Sequence, residues 1–140
     1  MRYWDASALV PLCVLERTTA RLRRLAARDG IVTWCLSAVE ITSAIERRAR
    51  ERALDMKGRA EALANLALPV DAWTEVTAVA AVRERAYRLL GTHALRAADS
   101  LQLAAALVAV GDRAAGHHFI CTDAHLCEAA GREGFGVADL

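Results

Sequence analysis

Arg2-Tyr3-Trp4-Asp5-Ala6-Ser7-Ala8-Leu9-Val10 begins as a short apolar run, stops at an acid, and gives way to small and helix-forming residues. The run reads as a first strand over Arg2 to Trp4 that ends at Asp5. Ser7 to Leu15 then reads as a short helical turn with Pro11 in its first part. Far along the chain, Phe119-Ile120-Cys121-Thr122-Asp123-Ala124 has the same grammar. A short buried strand, Phe119 to Thr122, is followed by Asp123 and by a helix ending near Gly131.

Between these two segments the pattern keeps alternating. Thr18 to Arg28 predicts a helix broken by Asp29-Gly30, and Ile31 to Cys35 is a β-branched and aromatic strand candidate. Ser37 and Glu40 have the spacing of a capping box, opening a helix expected to reach about Leu54. A second helix is expected over Asp55 to Ala67, then an extended piece over Leu68-Pro69-Val70. Helices are expected over Thr74 to Leu90 and Ala97 to Val110, each stopped by glycine, and a last edge strand over Gly136 to Ala138. Short strands alternating with helices predict an α/β fold, a three-layer α/β/α domain around a central, mainly parallel sheet. At 140 residues, with no linker, repeat or low-complexity stretch, residues 1–140 are expected to form a single domain.

Composition narrows the class only a little. The formal net charge is +1, which carries no global signature of nucleic-acid binding, although the local field at a cleft matters more. Of 18 lysines and arginines only Lys57 is a lysine, so the cations favour bidentate clamping over proton exchange. The opening residues do not read as a targeting signal. The longest apolar stretch, Leu103 to Val110, has the length of a core helix and not of a membrane span. The four cysteines, Cys13, Cys35, Cys121 and Cys127, lack CxxC spacing and are expected as free thiols in a reducing cytoplasm.

In parallel sheets, sites form beyond the carboxyl ends of the strands. That rule selects four acids. Asp5 and Asp123 each follow a strand, and Glu40 and Asp99 each lie in the first turn of a helix. Singly, each has an ordinary explanation as a cap or a dipole partner. Asp5, Asp99 and Asp123, however, are set among apolar or small residues, where solvated acids are seldom found. If the four converge, each like-charged pair at ~5 Å and an effective dielectric of about 20 costs roughly 3 kcal/mol. A hard divalent cation with oxygen ligands, Mg²⁺ or Mn²⁺, is the natural counter-charge. It would also polarise a phosphodiester and activate a water for attack.

At these residues the chain resembles PIN-domain proteins, and more narrowly the toxin subunits of VapBC-type toxin–antitoxin modules. The resemblance is carried by Tyr3 to Val10, Ser37-Ala38-Val39-Glu40-Ile41, Leu95 to Ala104, Thr122-Asp123, Ala129-Ala130-Gly131 and Gly134-Phe135. These segments follow the family's order along nearly the whole chain. The resemblance implies a metal-dependent endoribonuclease acting as the toxin of a type II module. Asp5, Glu40, Asp99 and Asp123 match its acidic catalytic positions, with Asp5, Asp99 and Asp123 as Mg²⁺ ligands. It further implies supporting roles for Ser7 and Thr122. The partners it implies are an RNA substrate, a homodimer and larger toxin–antitoxin assemblies, and a cognate antitoxin clamped by the helices between Ser37 and Ala67. Trp4 departs from the smaller aliphatic residue usual at that strand end.

Several other residues invite roles. Arg96 is a candidate for holding a substrate phosphate, with an exposed helix-start arginine as the plain alternative. His93 reads as a surface helix-end or loop histidine, with contact to RNA or help in proton transfer as the alternative. The mixed-sign run Glu46 to Arg52 reads as a solvated helix face with pairs such as Glu46–Arg50. Trp34 and Trp73 read as core. The His117 to Cys127 segment matches no closed zinc site. Aspartyl-nucleophile phosphatases would need an acid where Ser7 stands, and receiver domains need a pocket lysine. A non-catalytic PIN-like module that binds RNA or protein is the competing function.

Overall fold

A computed structural model describes residues 1–70 and 72–138; the expected domain also takes in Asp71, Asp139 and Leu140, which lie outside the described residues. Among the described residues, five strands alternate with seven helices. In chain order these are β1 (Arg2–Trp4), α1 (Ala6–Cys13), α2 (Thr19–Asp29), β2 (Val32–Trp34), α3 (Ser37–Arg50) and α4 (Met56–Val70). There follow β3 (Thr74–Val76), α5 (Val79–Thr92), α6 (Ala97–Ala109), β4 (His118–Ile120), α7 (Ala124–Arg132) and β5 (Gly136–Val137).

The strands form one sheet in the order β3-β2-β1-β4-β5, and every neighbouring pair is parallel. Strand side chains alternate between faces, which sorts the core into two halves. Tyr3 and Phe119 enter one core with α5, α6 and α7, while Trp4 and Ile120 enter the other with α1, α3 and residues of α2 and α4. Helices therefore cover both faces, giving the three-layer α/β/α architecture. With both faces buried, the central strands can be apolar on each side.

The chain runs outward from β1 through β2 to β3, then returns to place β4 on the opposite flank of β1. Between β1 and β4 the strand order reverses, and a crevice opens beyond the carboxyl ends at such a point. Trp4 pairs with Ile120 there, and Asp5 N donates to Ile120 O at 2.9 Å.

Several local expectations are corrected. Thr74–Val76 is a strand on the sheet edge, paired with Val32–Trp34, and not the first turn of a helix. Its β-branched Thr74 and Val76 suit the pleat, and the helix begins only at Val79. Leu68 to Val70 continues α4 and is not extended. The Ser37–Glu40 capping box does not form, because Leu36 is the N-cap and tertiary partners claim both side chains. Glu46 reaches Arg59 of α4 at 2.6 and 2.9 Å in place of Arg50, and so ties two helices together. His93 is buried and meets Glu133 Oε1 at 2.8 Å. Trp34 and Trp73 are buried, as expected of core residues.

The free-thiol expectation holds for Cys13 and Cys35 but is corrected for the other two. Cys121 and Cys127 are paired as a disulfide, with their Cα atoms 6.4 Å apart. The turn from β4 into α7 folds residue i+6 back on residue i, a closeness that a search for CxxC spacing does not see. No helix among the described residues is long and apolar enough to cross a membrane.

Candidate active site

Asp5 stands where β1 turns into α1. As N-cap of that helix it accepts a hydrogen bond from Ser7 N at 2.8 Å. The residue is only 5% exposed. Burial pushes its carboxyl above the ordinary range, the bonds from Ser7 oppose that shift, and the charge of Asp99 adds to it.

Ser7 does more than cap. Its Oγ accepts from Thr122 N at 3.0 Å, and its carbonyl accepts from Thr122 Oγ1 at 3.3 Å. The two hydroxyl residues read from the sequence thus join the end of β1 to the end of β4. Asp123, the next residue, caps α7 by accepting from Leu126 N at 2.9 Å.

Glu40 lies in the first turn of α3, and Asp99 in the first turn of α6. The Glu40 carboxyl is pushed up to about 7. Burial is the main cause, a hydrogen bond from Gln102 works against it, and the charges of Asp5 and Asp99 push the same way as burial. Three acids from three segments are therefore close enough to feel one another. Asp99 Oδ2 accepts from Arg96 N at 3.3 Å, and Arg96 Nε lies 3.6 Å from the same oxygen. The Arg96 side chain is 87% exposed, so it bonds to its own helix start and otherwise faces solvent.

A residue that the sequence reading passed over organises this end of the sheet. Gln102, one turn beyond Asp99 on α6, is fully buried. Its Nε2 donates to Glu40 Oε1 at 2.9 Å and to Ser37 Oγ at 3.0 Å, while its Oε1 accepts from the Tyr3 hydroxyl at 2.7 Å. Ser37 and Thr33 hydroxyls are 2.7 Å apart, and Thr33 donates to the Trp4 carbonyl at 2.7 Å. Hydrogen-bond arithmetic fixes every direction in this chain. An ionised Glu40 only accepts, so the amide nitrogen must face it and the amide oxygen must face Tyr3. Ser37, receiving from Gln102, passes its own proton to Thr33. The signal in the sequence was a lone amide in the apolar run Leu101-Gln102-Leu103-Ala104.

No protein-family model matches this chain, and no curated protein matches it.

Among the described residues, no three His, Cys, Asp or Glu side chains form a ready-made metal cage. The donors at hand are nonetheless hard carboxylate oxygens, two of them raised in pKa by burial and mutual repulsion. Their only ion pair among the described residues is the exposed Arg96. That donor chemistry fits a hard divalent cation that keeps several of its own waters and takes few protein ligands.

Proposed function

We propose that this chain is a metal-dependent endoribonuclease of the PIN-domain type, the toxin of a type II toxin–antitoxin module. The observation that supports the reading is that burial raises the Asp5 and Glu40 carboxyls and that nearby acids add to it, Asp99 acting on Asp5, and Asp5 and Asp99 on Glu40. Asp5 and Asp99 would hold Mg²⁺ or Mn²⁺, with Asp123 joining them only when the ion is bound, since no three donors are preassembled among the described residues; the ion would supply counter-charge to the carboxylates and polarise the phosphoryl group.

The chain's own groups do the rest. Asp5 is fixed by Ser7, so its carboxylate has one orientation. Gln102 grips Glu40 through Oε1 and leaves Oε2 to take a proton from the attacking water. A carboxyl titrating near 7 suits that task at neutral pH, since a base works best with its pKa near the working pH. Thr122 and Ser7 hold the two strand ends in register while the substrate strand lies across them.

The same reading assigns partners. Leu36 and Val39, 48% and 64% exposed, flank the start of α3 beside Glu40. They offer a small apolar footing for an antitoxin segment. A homodimer and a larger toxin–antitoxin assembly complete the proposal.

Asp5→Asn tests the assignment. Asparagine keeps the N-cap of α1 and removes the charge. Cleavage of a panel of RNAs in Mg²⁺ should fall by at least about 10²-fold, with circular dichroism unchanged. Cleavage at the parent rate would end the assignment. RNA binding by a parent that never cuts would favour the non-catalytic module.

A further inference from the structure

Residues 17–28 hold five arginines, Arg17, Arg21, Arg23, Arg24 and Arg28, and no acid. Almost all of them lie on α2. Leu22 is buried, and Leu25 and Ala26 pack half-buried against the core, so this apolar stripe points inward. Arg21, Arg24 and Arg28 recur at intervals of three and four, which places them on one side of the helix. Their guanidinium groups span about 10 Å along the axis at 1.5 Å per residue.

Two further facts make this stripe a field and not a decoration. The acids at its ends are already committed, Glu16 to Arg48 and Asp29 to Arg2. None of the five arginines forms an ion pair with an acid among the described residues. Four arginines on one short helix and a fifth just before it, unpaired among the described residues, stand out in a chain whose net charge is only +1.

The stripe also leads somewhere. Arg21, Arg24 and Arg28 line a groove of about 330 Å³ that reaches Ala138. Arg17 and Thr18 line a second groove of about 530 Å³, which also touches Ala138 and has Thr122 and Ala124 on its wall. Those two residues bracket Asp123, and Thr122 is bonded to Ser7 beside Asp5.

We propose that Arg17, Arg21, Arg24 and Arg28 form a track for the phosphates of an RNA strand whose scissile bond lies at the acidic site. The proposal rests on the ribonuclease reading and adds the path of the substrate to it. An acidic cleft repels a polyanion, so a strand needs cations beside the cleft to be held there. Among the described residues no aromatic side chain lines either groove, so the track grips backbone without stacking bases and is indifferent to sequence. A membrane surface fits less well, because the apolar face of α2 is spent on the core and none is left to insert.

The test is binding of a fluorescent single-stranded RNA in chelator, where no cleavage occurs, across a salt series. Single-strand binding weakens with a slope of about −0.7 per phosphate neutralised, so four arginines account for a slope of about −3. R17Q/R21Q/R24Q/R28Q should lose that much slope. Between 50 and 200 mM salt the parent should then weaken about 50-fold more than this variant. R47Q/R52Q/R83Q/R113Q, with the same net charge removed elsewhere, should keep the parent slope. Equal slopes for the track variant and the parent would overturn the track while leaving Mg²⁺-dependent cleavage to stand. Track-dependent binding by a parent that never cleaves would support the track and overturn the nuclease. Binding to anionic vesicles or polyglutamate in preference to RNA would overturn the track outright.

Discussion

Replacing Gln102 by Met keeps most of the buried volume and removes the amide that addresses Glu40. Two consequences separate cleanly. The first is local: Glu40 Oε1 loses a donor at 2.9 Å. A hydrogen bond to a charged group contributes about 1.5–3 kcal/mol, equivalent to about one to two pKa units. Glu40 is partly open to solvent, which reduces this to about one unit. Its carboxyl, already pushed up to about 7, should rise further. The second is structural: the Tyr3 hydroxyl, inside the core, loses its acceptor at 2.7 Å. An orphaned buried hydroxyl costs about 1–3 kcal/mol. Adding Tyr3→Phe should return part of that loss, giving a double-mutant cycle with about 1 kcal/mol of coupling. The assay is a carbon-13 titration of the Glu40 side chain, run beside the pH profile of RNA cleavage. The midpoint of Glu40 and the acid limb of the profile should move upward together. Loss of stability with an unmoved Glu40 titration would show that Gln102 only fills space, and the reasoning would fail.

Two other measurements follow from the same structure. Because the Glu40 carboxyl is raised when folded, the folded chain binds the extra proton and stability falls as pH climbs from the ordinary carboxylate range through about 7. Discounted for partial exposure, the loss is about 1–2 kcal/mol; urea melts at pH 5 and 8 should show a fall larger by that amount in the parent than in Glu40→Gln, which keeps the share of the raised Asp5 carboxyl, and equal falls would refute the cause. Alkylation of the unfolded, unreduced chain should label Cys13 and Cys35 alone, whereas four labels would show that Cys121 and Cys127 carry thiols.

Much of the fold could be read from strand grammar. Tyr3-Trp4 and Phe119-Ile120 are apolar on both faces, as a strand in the middle of a parallel sheet must be, and each ends in a small set of polar residues. Thr74–Val76 escaped because its side chains are exposed or half-buried, so no apolar alternation marks it. The site was legible where a residue's role is local. Asp5 and Ser7 are two apart in sequence and bonded directly. It was illegible where the role is tertiary. Ser37 has the spacing of a cap, yet it lies beneath Gln102, 65 residues away, and donates into Thr33. Only the folded sheet brings those residues together. The cysteine pair was missed because proximity came from a turn and not from a spacing rule.

The two outer strands limit how this molecule can grow. β3 has three residues and β5 only two. So little unpaired backbone gives a foreign strand almost nothing to zip onto. Self-assembly and capture by another chain are thereby channelled to the helical flanks, where side chains select the guest.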